Sequence, residues 1–194
     1  MTDLFHFVDS TALISKLNMW EERDKAIQEG YEKLNNEVIE KFADDKDIRI
    51  GAKGKNKFWF GFKKTVSVGM KDGFIEKVAV TKANVTDADA AKNVLPNEGA
   101  IVADKGYIAI INYLIALGLH PMIILKQNMN EKNCDLDRYI SGLRSPYEGT
   151  FSKQNKRTRY KGIAKNQAAE FMFATAFNIK RLLAIEFQKN SLAC

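Results

Sequence analysis

Three acidic residues occur where acidic side chains are unusual. Asp9 lies inside an apolar stretch, Asp104 directly follows the apolar run 100–103, and Glu148 lies in a basic neighbourhood. A carboxylate inside an apolar strand costs free energy unless it has a partner or a function. Carboxylates at adjacent strand ends, joined by one from a helix, can bind hard divalent cations through oxygen. We therefore interpret Asp9, Asp104 and Glu148 as one candidate metal site.

The chemistry that such a site would support is the cleavage of phosphodiesters. Two divalent ions about 3.5–4 Å apart activate a water or hydroxyl on one side of the phosphate and stabilise the leaving oxygen on the other. A structural zinc site is not expected, because the two cysteines (Cys134, Cys194) and two histidines (His6, His120) are far apart in the sequence. Any metal is therefore expected to be held by oxygen.

Each acid also has a purely structural explanation. Asp9 can bond backbone amides at a strand end, and Asp104 can cap the helix that begins near Gly106. The sequence from Ser145 to Glu148 (SPYE) matches a capping box with proline at the first helical position. The sequence pattern alone leaves both explanations open.

The charge distribution predicts a polyanionic partner. Residues 1–50 carry 12 acidic and 7 basic side chains, a net charge of −5. Because the whole chain has a net charge of +6, residues 51–194 carry a net charge of +11. The stretches 51–64 and 151–165 each contain several lysine or arginine residues and no acidic residue, and both are consistent with contacts to phosphates. The alternative is that lysine-rich faces only keep the protein soluble.

Composition bounds the remaining possibilities. A chain of 194 residues that is 45% hydrophobic, with 12 Phe, has enough apolar material for one or at most two compact domains, and no apolar window long enough for a membrane span. Scarce cysteines and a start without a basic region before an apolar core predict a cytoplasmic protein that is not exported. We expect one domain over 1–194, with 15–50 as a mainly helical excursion.

The hydrophobic pattern predicts a mixed sheet flanked by helices, in the α/β class. Asp72-Gly73 is a turn signal that should join two antiparallel strands, and Asp87 is expected to cap the helix that follows it. The predicted strands are 4–14, 57–70, 74–81, 100–103 and 122–125, and the predicted helices are 20–42 (one or two), 87–95, 108–117 and 167–187.

Three further features have modest interpretations. The stretch from Gly51 to Lys55 resembles a phosphate-binding loop only superficially, because it lacks the Gly-Lys-Ser/Thr ending, so we expect a basic loop near DNA and no nucleotide hydrolysis. Trp59 and Phe60 could stack on bases, but aromatic residues in a hairpin usually pack across strands. The last helix is expected to pack over the sheet through Phe171, Phe173, Phe177 and Leu182.

Five segments carry a resemblance that covers nearly the whole chain. They are Phe7–Thr11 (FVDST), Gly61–Lys64 (GFKK) with the following VSV, Val80–Asp87 (VTKANVTD), Ala103–Tyr107 (ADKGY), and the set Arg144, Glu148, Phe151, Lys156, Arg159, Gly162 and Lys165 that ends in Phe177–Leu182 (FNIKRL). In this order they resemble the DDE-type transposases of bacterial insertion sequences.

The resemblance implies a ribonuclease H-like catalytic domain with a mixed five-stranded sheet. Asp9 would lie on the central strand, Asp104 at the end of a neighbouring strand and Glu148 on a later helix. These residues would hold two Mg²⁺ ions, with Mn²⁺ as a substitute, for hydrolysis at transposon ends and strand transfer to target DNA. The partners would be double-stranded DNA and, as one possible assembly, a second copy of the chain. Candidate DNA contacts are Arg144, Lys156, Arg159, Lys63 and Lys64.

The sequence departs from the family pattern at several positions. Lys156 follows Glu148 by eight residues instead of seven, which places it about 80° away on a helix of 100° per residue. Thr65 and Gly69 stand where relatives commonly carry His and Asp. An amino-terminal helical region of relatives is not expected here, because the first aspartate is already residue 9. We therefore expect a fragment, a split reading frame or an internal start.

Two other functions stay open. One is a catalytically silent, DNA-binding remnant of a transposase, which metal-dependent nicking would distinguish from an active enzyme. The other is a different ribonuclease H-like nuclease, such as a junction resolvase or a nuclease of RNA hybrids, which substrate preference would distinguish.

Overall fold

The computed structural model describes residues 4–15, 21–54, 57–125, 129, 133–152 and 156–192. Within these residues the strands are β1 (Phe5–Ser15), β2 (Arg49–Lys53), β3 (Lys57–Gly69), β4 (Ile75–Lys82), β5 (Ala100–Ala103), β6 (His120–Ile123) and β7 (Arg157–Thr158). The helices are α1 (Glu21–Glu32), α2 (Asn36–Phe42), α3 (Asp87–Ala91), α4 (Ile111–Ala116), α5 (Cys134–Ser152) and α6 (Ile163–Leu192), and a 3₁₀ helix, Lys105–Ile110, precedes α4.

The strands form one mixed sheet around β1. Five of them follow the order β4-β3-β1-β5-β6, in which β3 runs antiparallel to both β4 and β1, and β5 and β6 run parallel to β1. β2 pairs with the first part of β3, and β7 pairs with the end of β1. The predicted α/β class and ribonuclease H-like fold are confirmed, and two short strands extend the sheet beyond the five that we predicted.

The residue alternation of β1 divides the two faces of the sheet. Phe7 and Val66 belong to a core cluster that contacts α5 and α6. Val8 belongs to a second cluster with α3, the 3₁₀ helix and α4. Because side chains alternate along a strand, Asp9 lies on the face of Phe7 and Ser10 on the face of Val8. This alternation decides which helices can reach Asp9.

Gly61 allows β1 and β3 to pair closely where β3 passes from β2 to β4. Its φ is 150°, and a Cβ there would lie 2.3 Å from the carbonyl oxygen of Leu13. Gly51 has a similar role in β2, because a Cβ would overlap the ring of Trp59. Trp59 and Phe60 are buried, as the packing interpretation predicted, and the indole of Trp59 donates to the carbonyl of Phe62.

Helix α6 covers the edge strand β4 through two side-chain amides. Gln167 accepts from the backbone of Val80 and donates to Val78, and Asn178 both accepts from and donates to the backbone of Ile75. These bonds satisfy backbone groups that an edge strand otherwise leaves open. The predicted core packing of α6 holds for Phe173 and Phe177, whereas Phe171 and Leu182 are exposed.

Several predicted elements differ from the structure. The segment that we predicted as a basic loop contains β2, since Gly51 gives room to Trp59 across the pair. The N-cap of α3 is Thr86, whose hydroxyl accepts from the amide of Asp89, and not Asp87. Helix α5 was absent from the predicted order, and Pro146 lies inside it rather than at its start.

Candidate active site

Asp9 lies on the central strand, at the point where the strand on one side stops. β5 pairs with β1 only from Phe5 to Phe7, and β7 pairs with it from Ile14. Among the described residues, no strand pairs with this edge of β1 between those two contacts. Asp9 is half-buried, and its Oδ1 accepts from the amide of Ser10 at 2.8 Å. The backbone contact that we considered as the structural explanation is therefore present.

The environment of Asp9 disfavours its charged form. Burial raises the pKa of its carboxyl group above the ordinary value, and the nearby carboxylate of Asp87 adds to this effect. The amide of Ser10 and the positive charges of Lys53 and Arg144 oppose it. An anion at Asp9 would be stabilised by an additional positive charge in this cleft.

Asp104 directly follows β5, which pairs with β1 only as far as Phe7 and Val102. The register of that last pair aligns Asp9 with Asp104, two residues beyond the end of the pairing. Asp104 is the N-cap of the 3₁₀ helix, and its carboxylate accepts from the amide of Lys105. The side chain is 45% exposed, so capping leaves it open to solvent.

Helix α5 carries both Arg144 and Glu148, and Arg144 lies near Asp104 as well as near Glu148. The Nη1 of Arg144 lies 3.7 Å from Oδ1 of Asp104, and its Nη2 lies 3.6 Å from Oε1 of Glu148. The guanidinium also lies over the ring of Phe7, on the Asp9 face of β1, at 5.5 Å. The structure therefore places Asp104 and Glu148 within ion-pair distance of one arginine, whose positive charge also acts on Asp9.

Arg144 itself is largely enclosed, since its side chain is only 13% exposed, whereas the Glu148 side chain is 59% exposed. Its Nε is buried and has no hydrogen-bond partner among the described residues. The capping-box interpretation of Glu148 is wrong, because α5 runs through Ser145 and Pro146 without a break. Glu148 instead lies on an exposed surface in the last part of α5.

A buried chain of three hydroxyl groups links the surroundings of Asp9 and Asp104. The Tyr107 hydroxyl donates to Oγ of Ser10 at 3.0 Å, and Ser10 Oγ lies 2.8 Å from Oγ1 of Thr65. The amide of Tyr107 in turn donates to the carbonyl of Asp104. Burial holds the pKa of Tyr107 well above its usual range, so this hydroxyl stays a donor. Sequence reasoning missed this chain, although Ser10 and Tyr107 both lie in motifs that we singled out.

Lys63 and Lys64 are not on the open surface. Lys63 is buried, and its Nζ lies 2.6 Å from Oδ1 of Asp87. Lys64 is fully buried, with its Nζ 3.0 Å from Oε2 of Glu170 and over the ring of Phe173. Burial lowers the pKa of Lys64, while Glu170 opposes this shift. A contact of either lysine with DNA would require it to leave its ion pair, so these two contacts stay predictions.

The other predicted DNA contacts lie near the carboxyl end of α5. Lys156 and Arg159 flank β7 and are exposed. The carbonyl of Lys156 accepts from the amide of Ile14, which fixes this segment against β1. Asp87 is a further acid near the site that sequence reasoning had interpreted only as a helix cap. Its ion pair with Lys63 could not be read from the spacing.

The fit of a metal ion can be judged from the donors. In the part of the chain that the structure describes, no three Asp, Glu, His or Cys side chains stand close enough to bind one ion. The kinds of donor fit a hard divalent cation, because all three acids offer carboxylate oxygen and burial disfavours the anion of Asp9. The guanidinium of Arg144 supplies the positive charge that now lies between Asp104 and Glu148.

Comparison with known families decides the classification. A family described as "Transposase DDE domain" matches residues 39–183, about three quarters of the chain. The chain belongs to the DDE transposase domain family. The matched range includes Asp104 and Glu148, and Asp9 precedes it. No curated protein and no solved structure matches the chain.

Membership in the DDE transposase family confirms the predicted resemblance and implies DNA as the substrate and divalent metal ions as the usual cofactors. In the described part of the chain, no helix is both long enough and apolar enough to cross a membrane.

Proposed function

We propose that this protein is the catalytic core of an insertion-sequence transposase, which hydrolyses phosphodiesters at transposon ends and transfers the resulting 3′-hydroxyl to target DNA. The observation that supports this most directly is that Arg144 lies within ion-pair distance of both Asp104 and Glu148, while the register of β1 and β5 aligns Asp9 with Asp104 two residues beyond their last pair. Family membership supports the general class of reaction.

In this proposal, Asp9, Asp104 and Glu148 would hold two Mg²⁺ ions, with Mn²⁺ as a substitute. When bound, the ions would supply Lewis-acid activation of the attacking oxygen and stabilisation of the leaving oxygen. The chain itself contributes the partly enclosed position of Asp9 and the two solvent-accessible carboxylates. The Asp104 side chain is 45% exposed even though it caps the 3₁₀ helix.

Arg144 has two tasks in the proposed reaction. Without metal its positive charge lies near both Asp104 and Glu148, which reduces the repulsion between the two carboxylates. With substrate it would donate to a phosphate oxygen through Nη1 or Nη2, because its Nε is buried. Lys156 and Arg159 would contact the flanking phosphates from the adjacent surface.

A silent, DNA-binding remnant is the second candidate. It is favoured by one specific observation, namely that the carboxylates of the described residues do not form a ready metal cluster and that a guanidinium stands between two of them. The two candidates share the fold and the basic surface, and they differ only in metal-dependent cleavage.

A nicking assay on supercoiled plasmid with Mg²⁺ or Mn²⁺ distinguishes the candidates. The informative variants are Asp104→Asn, which keeps an N-cap acceptor, and Glu148→Gln. The matched control is Asp135→Asn, an exposed acid at the start of α5.

We expect nicking that requires the metal, disappears in both site variants and persists in the control. Nicking that is unchanged in Asp104→Asn would overturn the site. Salt-sensitive DNA binding without nicking by the wild type would establish the silent remnant. Strand transfer is tested separately, by joining of a 3′-hydroxyl DNA end to plasmid.

A further inference from the structure

Helix α6 carries large apolar side chains on the side that faces away from the sheet. Phe173 and Phe177 pack against the core, and Gln167 and Asn178 bond to β4. With 3.6 residues per turn, six other large apolar residues fall within an arc of about 160° on the opposite side. They are 50–75% exposed, and they are Phe171, Met172, Ile179, Leu182, Leu183 and Phe187. We call this arc the outer face of α6.

The outer face has the composition of a protein interior. Between Ala168 and Leu183, all of which the structure describes, the arc contains no charged side chain. A helix that is apolar on all sides is typical of a buried position. Thr175 is the polar residue of this stretch, and its hydroxyl donates to the carbonyl of Phe171 in the same helix. Burial of the outer face would therefore leave this hydroxyl with a partner.

The area of the outer face is of the order that a protein interface requires. An aliphatic side chain has roughly 100 Å² to bury and a phenylalanine roughly 150–250 Å². Because the six side chains are at least half exposed, the outer face offers on the order of 500 Å² of apolar surface. Two such faces together bury about 1,000 Å², which is the lower bound for a specific interface.

The order of large and small residues along the outer face fits a second copy of α6 in the antiparallel direction. Thr175 and Ala176 are small, exposed and central, so two helices can approach each other closely there. Met172 precedes Thr175 by three residues, and Ile179 follows Ala176 by three. If two copies cross at Thr175 and Ala176, Met172 of each copy meets Ile179 of the other.

The same arrangement matches large side chains with small ones further from the crossing point. Leu183 lies seven residues beyond it and Ala168 seven residues before it, so these two would meet. Phe187 and Ala164 are likewise eleven residues from it on opposite sides. Large side chains against small ones interdigitate well. In the parallel direction each residue would instead meet its own copy, and Phe187 would oppose Phe187.

We propose that the outer face of α6 is the contact surface of a homodimer, in which two copies of α6 cross in antiparallel directions at Thr175 and Ala176. The partner is a second copy of this chain, related to the first by a two-fold axis through the crossing point. This inference does not rest on the proposed function, because it uses no residue of the candidate active site.

Sedimentation velocity at micromolar protein concentration, without metal or DNA, tests for the dimer. The variant is Met172→Glu/Ile179→Glu. The matched control is Ile115→Glu/Leu117→Glu, which places the same charges on two exposed apolar residues at the end of α4, on the other side of the sheet. We expect the wild type and the control to be dimers. The dissociation constant of the variant should rise by at least about a hundred-fold, because the interface would bury charges without partners.

Disulfide formation tests the direction of the helices, in a chain whose own cysteines are replaced by Cys134→Ser and Cys194→Ser. Thr175→Cys should link two copies under mild oxidation, because this position meets its own copy at the crossing point. Ala164→Cys is also on the exposed side of α6. The antiparallel arrangement places its two copies about 35 Å apart, which is too far for a disulfide.

Three outcomes would overturn the inference. A monomeric wild type would mean that another molecule covers the outer face, and a variant that stays dimeric would place the contact elsewhere. Linking through Ala164→Cys instead of Thr175→Cys would refute the antiparallel arrangement. Circular dichroism checks the fold of each variant, and the nicking assay reports separately on the proposed function.

Discussion

The buried hydroxyl chain of Tyr107, Ser10 and Thr65 predicts a reversal of sign in a double-mutant cycle. Tyr107→Phe removes one hydrogen bond and leaves Ser10 paired with Thr65. Its expected cost is about 1 kcal/mol of unfolding free energy, the usual net value of such a bond. The ring of Tyr107 is kept, so no cavity forms.

Ser10→Ala has a larger expected cost, because it removes the central group. The hydroxyls of Tyr107 and Thr65, both buried, then lose their bonds to Ser10. A buried polar group without a partner costs about 1–3 kcal/mol, so the total should exceed about 2 kcal/mol. In this background Tyr107→Phe removes an unsatisfied hydroxyl, and we expect it to be neutral or stabilising.

Urea unfolding of the four proteins, without divalent metal, measures the cycle. Tyr31→Phe is the control in both backgrounds, because its hydroxyl bonds to the carbonyl of Phe58, far from this chain. The same cost for Tyr107→Phe with and without Ser10 would refute the linked hydroxyl chain.

Three further predictions concern stability. Asp9→Asn should stabilise the metal-free protein at neutral pH. The pKa of Asp9 is raised by burial, so ionisation of Asp9 as pH rises through this pKa destabilises the folded state of the wild type. Thermal unfolding scans should therefore show the stabilisation by Asp9→Asn at neutral pH and its loss well below pH 4, where Asp9 is protonated. Lys64→Met and Glu170→Leu should each cost about 3–5 kcal/mol in urea unfolding by leaving one buried charge without its ion-pair partner, and the double variant should recover much of that loss. Gly61→Ala should cost more than about 1 kcal/mol, whereas Gly142→Ala, inside α5 with open space around it, should stabilise by up to about 1 kcal/mol; equal effects would contradict the close contact of Gly61 with β1.

The sequence was most informative where one physical signal dominated. The aromatic and β-branched residues of β3 and β4, separated by Asp72-Gly73, predicted a hairpin that the structure contains. The apolar run before Asp104 predicted β5 for the same reason. In these segments, local propensity and burial favour the same conformation, so the pattern alone was sufficient.

Prediction failed where tertiary contacts override a local signal. Gly51 favours a loop when only the sequence is considered, but the ring of Trp59 needs the space that glycine leaves, so the segment forms β2. Pro146 after Ser145 predicts a helix start, yet α5 continues through it at the cost of one backbone hydrogen bond. The spacing of residues in the sequence predicts neither the packing of Trp59 on Gly51 nor the continuation of α5 through Pro146.

The candidate site shows the same division. The unusual positions of Asp9, Asp104 and Glu148 in the sequence predicted one site, and the structure brings two of the three, Asp104 and Glu148, within ion-pair distance of Arg144. The burial of Lys64 was not predictable, because a pair of lysines in sequence gives no sign of a glutamate more than a hundred residues later. A cluster of basic residues in the sequence therefore predicts a basic surface only if the side chains are exposed in the fold.

Because successive side chains of β1 point to opposite faces of the sheet, the number of residues in this strand cannot change without consequence for the site. Asp9 faces Arg144 and α5, and the next residue, Ser10, faces Tyr107 on the other side of the sheet. The loss or gain of one residue before Asp9 within the paired strand would exchange these two faces. Substitutions at exposed positions of the chain can accumulate gradually. The insertion or deletion of one residue here, in contrast, would turn the Asp9 carboxylate to the other face of the sheet in one step. Insertions and deletions in descendants of this gene should therefore be confined to the connections and be absent between His6 and Asp9, where β1 is paired on both sides at its start.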